Sequence, residues 1–180
     1  LFLLLWLLSG VSAHAQIEQA VQLSHELAPK GGVAVGETVT LKIHALIDPG
    51  FHTYSAQQVP DMEMLAASFD LDEEAKDVAL VGKLTDEGER ETAFDDIFGA
   101  DVSLFHDEVT YLQQIKITGP NPQLTGYLRY QVCDDSRCVP GTYDLDLSLP
   151  VKAAAPEPEP APEPEPESQP AAAAPPENQP

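Results

Sequence analysis

Apolar and polar residues alternate with a period of two along most of this chain. Within residues 38–47, Val39, Leu41, Ile43, Ala45 and Ile47 share one face, and Thr38, Thr40, Lys42 and His44 share the other. That is the pattern of a half-buried strand, and Asp48-Pro49-Gly50 ends it with turn chemistry. Further on, Leu124, Gly126, Leu128, Tyr130 and Val132 alternate with Thr125, Tyr127, Arg129, Gln131 and Cys133. Tyr143, Leu145, Leu147 and Leu149 then alternate with Asp144, Asp146 and Ser148. Shorter strands are predicted over 21–27, 51–55, 67–71 and 78–84. A hairpin is predicted from 102–105 to 109–117 through His106-Asp107-Glu108. Residues 57–64 read as a polar loop and 73–77 as an acidic turn. Residues 86–96 are highly charged without a clean period, and an apolar tip, Ile97-Phe98-Gly99, follows them. Roughly eight or nine short strands with no amphipathic helix predict an all-β sandwich, with a small barrel as the alternative.

The only two cysteines stand where two of these strands meet. Cys133 ends one strand on its more polar face, Asp134-Asp135-Ser136-Arg137 forms the loop, and Cys138 begins the return. Opposed residues of an antiparallel pair lie roughly 4.5–5.5 Å apart at Cα, within disulfide reach. The loop such a bridge closes is so short that chain entropy yields only about 2 kcal/mol. A staple in an exported hairpin is one reading, and a redox pair open to another protein's thiolate is the other. C-x4-C is not the C-x-x-C of a thioredoxin site. Asp134 and Asp135 disfavour a nearby thiolate and Arg137 favours one, which points to Cys138 as the nucleophile.

The ends differ from the middle. The apolar run over residues 1–8, then Ala13-His14-Ala15, reads as the core and cleavage site of a secretory signal, 1–15, truncated at its start. The run is too short to span a bilayer. Export places the cysteines in an oxidising compartment. Residues 16–152 form one domain. Residues 153–180 form a Pro/Glu/Ala-rich linker of extended polyproline character, with more protein expected after Pro180.

A formal net charge of −21 argues against nucleic acid and anionic membrane surfaces. Histidines 25, 44, 52 and 106 sit on separate elements and make no metal motif by spacing. A copper or zinc site built from both cysteines and a histidine is a third reading. No nucleophile elbow, phosphate-binding glycine loop or H-E-x-x-H is present.

Three stretches together resemble the N-terminal periplasmic domain of the DsbD family of thiol:disulfide interchange proteins. The first is the strand and turn over 39–54, ending Pro49-Gly50-Phe51-His52-Thr53-Tyr54. The second is Asp95-Asp96-Ile97-Phe98-Gly99 with the apolar segments after it. The third and most specific is Tyr130-Gln131-Val132-Cys133 through Cys138-Val139-Pro140. Two departures stand out: Ile97 occupies a position where phenylalanine is usual, and the loop between the cysteines is one residue shorter than in some members.

The resemblance implies an immunoglobulin-like β-sandwich and a protein-disulfide reductase with no cofactor beyond its cysteine pair. It implies Cys138 as the attacking thiol and Cys133 as the resolving one. Asp95, Asp96, Ile97 and Phe98 would belong to a shielding cap, with Tyr54, Arg137 and Tyr130 in support. It further implies electrons received from a thioredoxin-like domain and membrane domain of the same polypeptide. They would pass to periplasmic disulfide isomerases or thioredoxin-like proteins of cytochrome c maturation, with the domain tethered at the inner membrane.

Overall fold

A computed structural model describes residues 20–152. The expected signal segment, residues 16–19 of the expected domain and the expected linker lie outside the described residues. Ten strands and one short 3-10 turn make up the described chain. The strands are β1 (Val21–Ala28), β2 (Thr38–Ile47), β3 (His52–Tyr54), β4 (Ser68–Leu71) and β5 (Val78–Glu87), then β6 (Glu91–Asp95), β7 (Ala100–Phe105), β8 (Glu108–Ile117), β9 (Gln123–Cys133) and β10 (Cys138–Ser148). The 3-10 turn is Glu63–Leu65.

One sheet has the order β1-β2-β8-β5 and the other β10-β9-β3-β7-β6, with β4 also pairing β9. Every strand pair is antiparallel. The two sheets are separate and face each other, so the architecture is an immunoglobulin-like β-sandwich rather than a barrel.

The alternation read from the sequence decides which faces meet. Val39, Leu41, Ile43, Ala45 and Ile47 of β2 are buried against Leu124, Leu128, Tyr130 and Val132 of β9 and Ile115 and Ile117 of β8 in one apolar core. Each such side chain contributes about 1.5–3 kcal/mol when fully buried, so a one-residue slip in β2 would cost the whole face at once. Gly126 is fixed by β4: a β-carbon there would lie 3.1 Å from the Leu71 Cα and closer still to the Asp70 carbonyl oxygen.

Three expectations are corrected. The predicted 102–117 hairpin does not form, because β7 pairs with β3 and β6 while β8 pairs with β2 and β5. Val102, Ser103, Leu104 and Phe105 are all buried, so β7 is an interior strand with no edge to offer β8. The link is instead a corner between sheets, with Asp107 at a positive φ of 58° and its carbonyl accepting the Ile47 N–H at 2.7 Å.

The charged stretch 86–96 holds the end of β5 and all of β6. Its pattern is inverted: Phe94 is 64% exposed while Asp95 and Asp86 are buried. Asp86 is stabilised there by the Ser55 hydroxyl at 2.7 Å, the Ala56 N–H at 2.6 Å and the Arg90 guanidinium.

Cys133, read on the more polar face, is fully buried. The face assignment was right, but Tyr54, Leu65, Val102 and Leu104 form a second, smaller apolar cluster over that end of the outer face.

Candidate functional site

The site is built on the outer face of the larger sheet. In antiparallel register Cys138 lies opposite Cys133, and Cys133 lies opposite His52 on its other side. Paired residues project to the same face, so both sulfurs and the imidazole emerge together from β10, β9 and β3. Tyr54, two residues after His52, shares the face and stands opposite Leu104. The cysteines form a disulfide with Cα atoms 4.1 Å apart. Cys133 is buried completely and Cys138 only partly.

Two aspartates organise the loops beside the bridge in the same way. Asp95 ends β6 and accepts the N–H groups of Ile97 and Phe98 on Oδ1, at 2.8 and 3.1 Å. Gly99 closes that turn at φ 65°, in the left-handed region glycine tolerates. Asp134 accepts the N–H groups of Ser136 and Arg137 and the Ser136 hydroxyl. Those hydrogen bonds, led by the Ser136 hydroxyl, hold the Asp134 carboxyl below its ordinary range.

Tyr54 joins the aspartate to the sulfurs. Its hydroxyl donates to Asp95 Oδ2 at 2.6 Å and lies 3.5 Å from each sulfur. A disulfide carries no proton, so the hydroxyl's single hydrogen goes to Asp95 and its oxygen faces the sulfurs. Burial first, then Asp95, pushes the phenol well above its usual pKa and keeps it protonated. The Phe98 ring meets the Tyr54 ring edge-on with centroids 6.0 Å apart, and is itself 38% exposed. Ile97 is 44% exposed and lines a cleft of about 430 Å³ with His52, Asp95, Asp96, His106, Asp134 and Asp135. A larger groove of about 660 Å³ lies beyond Pro140 and Gly141 and is lined by neither cysteine.

Of the residues predicted from sequence, Cys133, Cys138, Tyr54, Asp95 and Phe98 come together. Asp96 and Ile97 stand beside them in the cleft. The Arg137 guanidinium is 3.5 Å from Asp134 in its own loop, so its charge is partly offset there rather than given wholly to Cys138. Tyr130 is on the opposite face. It belongs to the main core and packs over Gly141, where a β-carbon would come within 2.5 Å of its ring.

One residue of the cluster, His52, was not singled out from sequence. Its position two residues before Tyr54 was the signal that could have found it. Its ring packs edge-on to those of Tyr54 and His106 at 5.5 and 5.8 Å. Burial first, then His106, lowers its pKa, against the opposing pull of Asp95, Asp135 and Asp134. Among the described residues no group of three or more histidine, cysteine or acidic side chains is placed to hold a metal ion.

The arrangement is a disulfide with one buried and one reachable sulfur, backed by a proton-carrying hydroxyl and a carboxylate. Such a group can undergo thiol–disulfide exchange. The family model described as thiol:disulfide interchange protein DsbD, N-terminal, matches residues 19–150. The chain is also similar to a solved structure, the crystal structure of Neisseria meningitidis DsbD n-terminal domain in the reduced form. That match has 19% identity and a TM-score of 0.40, and covers 73% of this chain and 86% of that one. No curated protein matches significantly.

Proposed function

This chain belongs to the family of the N-terminal domain of thiol:disulfide interchange protein DsbD, and we propose that its Cys133–Cys138 pair relays electrons between thiol proteins of the periplasm. The observation that carries the reading is the Tyr54 hydroxyl, held by Asp95 at 2.6 Å and set 3.5 Å from both sulfurs. A bridge that merely stapled a hairpin would gain nothing from a buried phenol and carboxylate behind it.

In the proposed exchange a donor's thiolate attacks the Cys138 sulfur. A new S–S bond forms to the donor, the Cys133–Cys138 bond breaks, and Cys133 leaves as a thiolate toward which the Tyr54 hydroxyl turns its hydrogen from Asp95. The donor's second thiolate then attacks its own half of the mixed disulfide and releases Cys138. Two electrons have entered the pair, two protons complete the dithiol, and the donor is left oxidised. The reverse sequence passes the electrons to the next protein. The donor in this proposal is a thioredoxin-like domain working with a membrane domain of the same polypeptide. The acceptors are periplasmic disulfide isomerases or thioredoxin-like proteins of cytochrome c maturation.

A redox titration against a reduced thioredoxin-like protein tests this. The disulfide should equilibrate with it. A bridge that stays oxidised through the titration would make this an exported sandwich with a structural staple.

The cap proposal has its own test. Phe98 touches the Tyr54 ring, whereas Ile97 lines the neighbouring cleft. Phe98→Ala should therefore speed alkylation of the reduced cysteines severalfold, and Ile97→Ala should do so less. Both side chains are more than a third exposed, so stability should shift by no more than about 0.5 kcal/mol. Equal, unchanged alkylation in both variants would remove this turn from any shielding role.

A further inference from the structure

The exchange described above leaves His52 unused, yet its side chain is only 14% exposed. Its Nε2 is the one buried side-chain polar atom among the described residues with no hydrogen-bond partner. Asp95 Oδ2 lies 4.0 Å away, too far for a hydrogen bond. That same oxygen accepts the Tyr54 hydroxyl, which in turn faces both sulfurs. Four groups therefore stand in a row, with gaps of 3.5 Å from sulfur to Tyr54 Oη, 2.6 Å on to Asp95 Oδ2, and 4.0 Å on to His52 Nε2.

A protonated Nε2 would have a carboxylate within easy reach and would close on it to about 2.8 Å. At 4.0 Å the two atoms share no hydrogen bond.

We propose that His52 takes up the proton that Cys138 releases on becoming a thiolate, passed through Tyr54 and Asp95. This deepens the exchange reading and rests on it. The Cys138 S–H bond breaks and its proton goes to the Tyr54 oxygen. The Tyr54 proton goes to Asp95, and Asp95 hands one to Nε2. Tyr54 and Asp95 finish as they began; one proton has moved from sulfur to imidazole and no electron has moved. The thiolate then accepts the Tyr54 hydrogen bond, and the imidazolium closes on Asp95 by about 1 Å to form a charge-assisted pair.

The groups facing His52 fit this role. Asp95 from β6 and Asp134 and Asp135 from the β9–β10 loop favour the imidazolium, while burial and His106, just after β7, oppose it. In the disulfide form burial is the largest influence and disfavours the imidazolium, and Nε2 has no hydrogen-bond partner. A thiolate at Cys138 adds negative charge to the favouring side. By linkage, a protonatable His52 must in turn lower the pKa of the thiol.

The test uses the full chain carrying Cys133→Ser, which leaves Cys138 as the single thiol, with and without His52→Gln. Iodoacetamide labelling is followed from about pH 5 to about pH 10, spanning the histidine and thiol ranges. With His52 replaced, the thiol titration should move up by about one unit, and labelling near pH 7 should slow about tenfold. In the His52-containing chain, the imidazole NMR signals should hold part of their protonation to higher pH and lose it in step with thiol ionisation, and this second step should vanish when Cys138 is replaced by Ser as well. A merely structural histidine would change the unfolding midpoint and leave the thiol titration in place.

An unchanged thiol titration in a folded His52→Gln chain overturns the proposal, as does a ring titration indifferent to Cys138. The ring measurement needs no change at position 52, so it decides the matter even if His52→Gln does not fold. Reduction of the wild-type disulfide by a thioredoxin-like protein is measured alongside. If that exchange proceeds while the titrations are indifferent to His52, only the proton role falls; if it fails, both readings fall.

Discussion

Cys133→Ser should accumulate a covalent adduct with an oxidised thioredoxin-like partner, reversible by reductant, while Cys138→Ser should form almost none. Exchange passes through a mixed disulfide, and removing the resolving thiol closes its forward exit, leaving only return through the partner's own second thiol. The assignment of roles follows from access. Cys133 is buried completely among Tyr54, Leu65, Val102 and Leu104, whereas Cys138 opens its strand partly exposed. Tyr54 does not discriminate between them, since its hydroxyl is 3.5 Å from each. The difference in adduct formation should be at least on the order of a hundredfold, the scale of a lost positioned group. Adduct from Cys138→Ser instead would exchange the two roles and keep the relay. No adduct from either variant, together with a wild-type disulfide that no thioredoxin-like protein reduces, would end it.

Asp95→Ala should lower the stability of the domain by about 2–3 kcal/mol and alter alkylation of the reduced pair, opening access to it while removing the carboxylate through which the Cys138 proton leaves. One carboxylate holds the Tyr54 hydroxyl and the N–H groups of Ile97 and Phe98. Alanine leaves a buried phenol without its acceptor and releases the turn that carries Phe98. Asp95→Asn separates the two effects. Its amide oxygen still accepts the two backbone N–H groups and should restore much of the stability. It cannot accept and pass on a proton as a carboxylate does, so thiol reactivity should stay altered. Denaturant unfolding and alkylation rates measure the two quantities. A loss below about 0.5 kcal/mol in Asp95→Ala would place the turn's order elsewhere.

The parts of the fold that were legible were those where one face is apolar and the other wet. β2 matches its predicted bounds because Val39 to Ile47 face the core while Thr38 to His44 do not. The cysteine hairpin was legible for the same reason, since β9 carries its apolar set at every second residue. Legibility failed where burial rests on hydrogen bonds rather than oil. β6 sends Asp95 inward and Phe94 outward, and the end of β5 buries Asp86 under Ser55 and Arg90. No hydropathy pattern can show a carboxylate whose partners come from β3 and from a loop. β7 was found as a strand but given the wrong neighbour, because alternation fixes faces and says nothing of which edge pairs with which. His52 escaped for a related reason. Its role depends on Cys133 across one strand boundary and on Asp95 from two strands away. The sequence offered only its spacing from Tyr54.

The equal distances from the Tyr54 oxygen to the two sulfurs have a kinetic consequence. Each exchange of the proposed relay is reversible, and its two steps release different sulfurs as thiolates. A hydroxyl closer to one sulfur would assist the departure of that atom and leave the other step unassisted. Set midway and anchored by a buried carboxylate, it serves whichever sulfur departs. In the proposed relay both steps are then assisted alike, and the potentials of the neighbouring proteins decide which way the electrons flow.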